Sequence, residues 1–228
     1  MESKDYWKTF WNQSSLLDKK NIHEQVGRTK KGVAIDDEVW EQTLAYIIQN
    51  TNLNKDDDLL DLACGSGAIS IAVQNKVKSV TAVDISQKLI TGLKIFKSIN
   101  AIHSDILEVS FKECEFSKVI LYFALQHFNE NETLKIFERV YKWLKPDGVF
   151  FCGDVTDIEK QFDFYDTDER KKAFFESVKE NQPIIGTWFN KNFLINLAKY
   201  TGFKQAIIID QPENQFNSHY RFDIKLIK

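Results

Sequence analysis

The sequence predicts one α/β domain built on a doubly wound, mostly parallel sheet, and three observations carry that reading. Residues 57–73 run from a short apolar stretch through a turn holding Gly65 and Gly67 into apolar residues at helical spacing. Residues 79–83 form a β-rich run that ends in Asp84, roughly 20 residues beyond the turn, where such sheets place a ligand-holding acid. The last two apolar runs, 204–209 and 219–227, follow one another without a helix between them, so they must pair antiparallel. At 228 residues the chain is long enough for one full core and too short for two comfortable domains.

Taken in order, residues 1–50 read as a helical extension. Tyr6, Trp7, Phe10 and Trp11 form a two-turn aromatic stripe, which either packs onto the sheet or closes over a site. Residues 25–32 are polar, basic and punctuated by glycine. They read as a loop in which Arg28 meets a ligand carboxylate or sits on a solvated turn. Asp36, Asp37 and Glu38 then favour a helix start, and that helix runs to about residue 50. Asp61 lies near the carboxyl end of the first strand. Ser86 is placed to cap a helix over 87–97. A strand over 99–102 leads to His103-Ser104-Asp105-Ile106, and another over 118–123 leads to Ala124-Leu125-Gln126-His127-Phe128. A helix over 130–143 meets Leu144-Lys145-Pro146-Asp147-Gly148, a chain-reversing turn before the strand 149–152. Gly153-Asp154 follow at that strand's end. Residues 155–190 are the least patterned: acidic and aromatic to 168, a charged helix to about 181, and an apolar loop over 183–189. A helix over 190–201 stops at Gly202.

Composition narrows the function classes. A net charge of −3 gives no reason to expect nucleic acid as a partner. Three cysteines (Cys64, Cys114, Cys152) without a C-x-x-C pair suggest neither a disulfide frame nor a metal site. The first residues hold no apolar signal region and no run reaches membrane-spanning length, so a cytoplasmic protein with no membrane partner is expected. Phe is over-used at 18 residues, part of it available to line an apolar acceptor pocket.

The ligand question turns on the glycine bend. Glycines without Cβ let backbone approach a ligand closely, and the helix start beside them offers unpaired N–H groups. A dinucleotide fingerprint needs a third glycine, and Ser70 follows here instead. Asp61-Leu62-Ala63-Cys64-Gly65-Ser66-Gly67 resembles motif I of the class I S-adenosylmethionine-dependent methyltransferases. Asp84-Ile85-Ser86 resembles their motif II, Leu125-Gln126-His127-Phe128 their Leu-x-His-Phe element, and Leu144–Gly148 a phrase common before strand five. The resemblance covers about residues 58–228. It implies a Rossmann-like, seven-stranded sheet with an antiparallel last strand, divided into a lid-like extension (1–50) and a cofactor-binding domain (51–228), with S-adenosyl-L-methionine as cofactor.

By the same resemblance Asp61, Ala63, Cys64, Gly65 and Gly67 form the cofactor turn, Asp84 and Ile85 take the ribose, and Ser104, Asp105 and Ile106 take the adenine. Phe123 and His127 lie by the methionine portion, and Trp11 and Arg28 reach in from the extension. His127 and Asp154 are the candidate bases, each against a plain structural role. The implied reaction is methyl transfer to an O or N atom of a small-molecule acceptor, a sugar derivative or natural-product intermediate, by a monomer or homodimer. No Pro-Pro and no Pro-Cys occur, which disfavours adenine-N6, glutamine-N5 and cytosine-C5 chemistry. A nicotinamide-dependent oxidoreductase and a non-catalytic cofactor-binding partner subunit remain open alternatives.

Overall fold

The computed structural model describes residues 3–30, 33–182 and 184–228. Lys31 and Gly32 of the basic loop and Pro183 of the apolar loop lie outside the described residues, as do Met1 and Glu2. A seven-stranded sheet organises the chain in the order β5-β4-β3-β6-β7-β9-β8. Its strands are β3 (Asp58–Leu62), β4 (Ser79–Asp84), β5 (Ile99–His103), β6 (Phe116–Tyr122), β7 (Leu144–Thr156), β8 (Gln205–Asp210) and β9 (Arg221–Ile227). β3 through β7 run parallel, and β9 inserts between β7 and β8 antiparallel to both. A chain that pairs its last two strands without a crossover helix has this option alone, and the antiparallel ending follows.

Ahead of the sheet come α1 (Ser3–Gln13), the two-residue strands β1 (Thr29–Lys30) and β2 (Val33–Ala34), and α2 (Asp37–Thr51). Thr29–Lys30 pairs antiparallel with Val33–Ala34, Thr29 facing Ala34. Asp36 caps α2, accepting from the Val39 N–H at 2.8 Å, with Asp37 and Glu38 complementing the dipole behind it. Helices cover both faces of the sheet. On one lie α2, α3 (Ala68–Val73) and α4 (Gln87–Leu93), which bury Ile47, Ile69, Val73, Ile90 and Leu93 against Leu59, Ile120 and Phe151. On the other lie α5 (Glu130–Trp143) and α8 (Lys191–Thr201), whose Phe137, Val140, Leu194 and Ala198 pack on Phe150, Phe222 and Ile224. Each fully buried Phe contributes roughly 1.5–3 kcal/mol relative to exposure. Much of the phenylalanine excess is core. No helix among the described residues is long and apolar enough to cross a membrane.

Local expectations and structure part in three places. Ser86 sits at the N-cap of α4 but makes no side-chain cap bond; its N–H is held by Asp84 instead. α4 ends at Leu93, four residues short of the expected stop, after which the chain tightens toward Ile99. Residues 144–148 belong to β7, with Asp147 at φ +60°, so the reversal is a kink inside a strand that pairs with Phe116 and then shifts register to Lys118. Within 155–190 the chain forms α6 (Gln161–Phe164) and α7 (Asp168–Glu180).

Candidate active site

Three strand tips and the N-terminal segment build one cleft. After β3 the chain turns through Ala63 (φ +51°), Gly65 (φ +56°) and Gly67 (φ +76°). A Cβ at Gly65 would lie 2.7 Å from Val26 Cγ1, so glycine is required there for the N-terminal segment to seat on the turn. Asp84, at the tip of β4, ties the turn to its own strand: Oδ2 accepts the Gly65 N–H and Oδ1 the Ser86 N–H, each at 2.8 Å. Burial raises the Asp84 pKa, and those two N–H groups oppose the rise. The site thus holds a buried carboxylate with its orientation fixed by backbone.

The cleft contains about 830 Å³ of empty space, part of it open to solvent. Ala63, Gly65, Asp84 and Ile85 line it on one side, and Asp105, Ile106 and Phe123 on another. Trp7, Lys8 and Trp11 of α1 also line it. Of the two roles open to the aromatic stripe, Trp7 and Trp11 take the wall of the cleft rather than the face of the sheet. The structure therefore brings together Trp11, Arg28, Ala63, Gly65, Asp84, Ile85, Asp105, Ile106, Phe123 and His127.

Four expected cofactor residues lie elsewhere. Asp61 is turned under the bend, accepts from the Ser70 hydroxyl at 2.6 Å, and is pushed up to about 6 by burial. Cys64 packs its thiol into the core beneath the sheet. Gly67 faces inward, where a Cβ would sit 2.2 Å from Leu93 Cδ2. Ser104 serves the strand edge, its N–H donating to the Asp84 carbonyl at 3.0 Å. Cys64 and Ser104 each stand next to a lining residue and point away from the space it lines, whereas Asp61 is held inward by Ser70 and Gly67 by the approach of Leu93. Conversely Val26, Leu89, Tyr122 and Glu132 line the cleft without having been expected there, and Trp7 does so as one of the two roles open to its stripe. The four-residue spacing of Trp7 and Trp11 on one helix face was the available signal; the other positions carry none.

Arg28 lies where the cleft meets a smaller chamber and lines both, as do Tyr122 and Phe123. Its guanidinium stacks on Trp40 at 5.0 Å, yet Nε and Nη1 are buried without a hydrogen-bond partner. Burial lowers its pKa, with Tyr122 and Asp61 opposing. Buried donors are almost always paired, so these two N–H groups are left seeking an acceptor at the wall of the cleft.

The two expected bases fare differently. His127 lies in the cleft, its ring 4.2 Å from Trp7 and 5.6 Å from Trp11. Burial, and then the charge of Arg221, lower its pKa to about 3. Its imidazole is neutral at pH 7 but a weak base, better suited to packing and hydrogen bonding than to proton abstraction. Asp154 is not in the cleft. It lines the smaller chamber, where its carboxylate sits 3.5 Å from Arg221 Nη1 and accepts from Gln211 Nε2 at 3.2 Å. The β7 strand ends in the left-handed region at Asp154 (φ +59°), with its N–H bound to Asp223 Oδ1 at 2.7 Å. Arg221, 67 residues away in sequence, donates to the Asp154 backbone carbonyl and pairs with its carboxylate.

A seven-stranded sheet with one inserted antiparallel strand, and a cleft at the tips of β3, β4 and β6, define the class I methyltransferase fold. Residues 59–148 match the family described as "Methyltransferase domain". A demethylmenaquinone methyltransferase of Leptospira interrogans is 30% identical over 171 residues, 68% of this chain and 63% of that protein. A phosphoethanolamine N-methyltransferase of Plasmodium falciparum is 26% identical over 158 residues, 64% of this chain and 58% of that one. The chain thus spans less than two thirds of the length of these relatives. Among solved structures, magnesium protoporphyrin IX methyltransferase from Synechocystis PCC 6803 with bound SAH superposes with a TM-score of 0.65 at 11% identity, covering 100% of both chains. The chain resembles the class I S-adenosylmethionine-dependent methyltransferases in its fold and, over residues 59–148, in its sequence; S-adenosylmethionine is the cofactor of that class.

Proposed function

We propose that this chain transfers a methyl group from S-adenosylmethionine to an O or N atom of a small-molecule acceptor. The observation that carries the reading is the backbone-oriented Asp84 carboxylate at the lip of a cleft that also holds a buried, unpaired arginine. These residues fit the cofactor's chemistry. Asp84 would accept from the ribose hydroxyls, Asp105 and Ile106 would flank the adenine, and the free N–H groups of Arg28 would donate to the methionine carboxylate. Trp7, Trp11 and Phe123 offer π-faces and exclude water, which suits a positively charged sulfur centre.

When bound, the cofactor supplies a methyl group already activated as a sulfonium. What the chain contributes is position, and well-oriented reactants can gain about 7–11 kcal/mol from placement alone. His127 is assigned a positioning role in the Trp7–Trp11 wall, in keeping with its lowered pKa. The test is a calorimetric titration with S-adenosylhomocysteine and, separately, NADH. A single-site isotherm with the former and none with the latter is expected; the reverse result sinks the proposal.

A further inference from the structure

The two edges of the sheet meet solvent differently. β5 closes one side with exposed Asn100 and His103 along its length, and its carboxyl end leads into the cleft at Asp105. β8 closes the other, and no strand among the described residues pairs with its outer side. Its run Gln205-Ala206-Ile207-Ile208-Ile209-Asp210 holds three consecutive isoleucines and neither proline nor glycine. None of its six residues is buried, whereas the neighbouring β9 buries five of seven. Ile207, in the middle, is 42% exposed.

An edge strand turns unpaired N–H and C=O groups outward, and a β-branched apolar run without proline makes that edge a template for another strand. Protected edges carry a charge, a proline or a bulge in mid-strand, and β8 has its charges only at the ends. Lys204 and Asp210 stand three residues to either side of Ile207. The chain already lies along β9 at Lys204, whose N–H donates to the Ile227 carbonyl at 2.8 Å. The Lys204 and Asp210 side chains are 64% and 80% exposed. Each makes a surface ion pair within the chain, Lys204 with Asp147 at 3.1 Å and Asp210 with Lys191 at 3.4 Å, and pairs so exposed hold little.

Opposite charges at equal distances from a central exposed isoleucine are complementary to themselves once reversed. From this pattern we propose that β8 docks a second copy of this chain, strand to strand and antiparallel, about a two-fold axis at Ile207. Ile207 then meets Ile207 of the partner subunit, Ala206 faces the partner's Ile208, and Lys204 faces the partner's Asp210. Side chains directly opposed across an antiparallel pair lie about 4.5–5.5 Å apart at Cβ, where apolar pairs and opposite charges both stabilise the join. An unrelated strand would satisfy the backbone but not this order of charges. The same patch serves both copies, so the assembly closes at two. β7 and β9 separate β8 from β6, and the join leaves the cleft open.

Sedimentation velocity over a dilution series, on the full chain, tests the proposal. The wild type should reach twice the mass of one chain. Lys204→Asp and Asp210→Lys each set like charges against one another at both ends of the join, and each should raise the dimer dissociation constant about tenfold. An equimolar mixture of these two variants restores opposite charges at both ends and should recover the wild-type dimer. Ile207→Lys brings two lysines together on the axis and should leave a monomer whose urea unfolding stays cooperative. A monomeric wild type overturns the proposal, as does a dimer that survives Ile207→Lys. A mixture that associates no more tightly than its two components overturns it as well, by removing the register.

Discussion

Two buried aspartates stand at the ends of two strands of one sheet, β4 and β7, and they do opposite things. Asp84, ending β4, is held by backbone N–H groups from its own turn and from the glycine bend, and its side lines the cleft. Asp154, near the end of β7, is held by side chains of the chain's last quarter, Arg221 and Gln211, and lines a separate chamber. Local backbone leaves a carboxylate available to a ligand. A buried counter-charge uses it up.

The largest effect that tests this contrast is on stability. Asp154→Asn leaves Arg221 buried without its partner, and removing one member of a buried pair costs about 3–5 kcal/mol. Urea unfolding should show that loss while S-adenosylhomocysteine affinity stays unchanged. A variant of normal stability with weakened ligand binding would return Asp154 to the site.

The same contrast explains what the sequence made legible. Strand, turn and helix around Asp84 lie within a few tens of residues, so spacing alone locates the acid and the bend. The antiparallel ending was legible too, because no helix separates the last two strands. Asp154 was misread because its partner arrives from β9, and no local pattern shows which strand-end acid a distant arginine will claim. The inward turning of Asp61, Cys64 and Gly67 was equally hidden: motif spacing identifies the bend but does not resolve which of its side chains face out. For residues 155–190 the charged helix was readable by composition, but an aromatic groove beside it depends on Tyr6, far off in sequence.

A smaller effect sharpens the comparison from the cleft side. Arg28 is the cation that, unlike Arg221, has no carboxylate bound to it, and burial lowers its pKa. Arg28→Met should therefore stabilise the ligand-free protein by about 1 kcal/mol, raising Tm by about 2–4 °C, since an apolar chain avoids the unpaired buried charge. The same variant should bind S-adenosylhomocysteine about tenfold more weakly, through loss of a charge-assisted hydrogen bond. A fall in Tm with unchanged affinity would make Arg28 a structural residue.

The most direct measurement is the dissociation constant of S-adenosylhomocysteine for wild type and Asp84→Ala, read by calorimetry, with a denaturation curve on each. Two hydrogen bonds to a charged acceptor, at about 1.5–3 kcal/mol each, predict a loss of about 100-fold or more in a protein that still unfolds cooperatively. An Asp84→Ala protein that remains folded and binds the nucleoside as tightly as wild type would contradict the account.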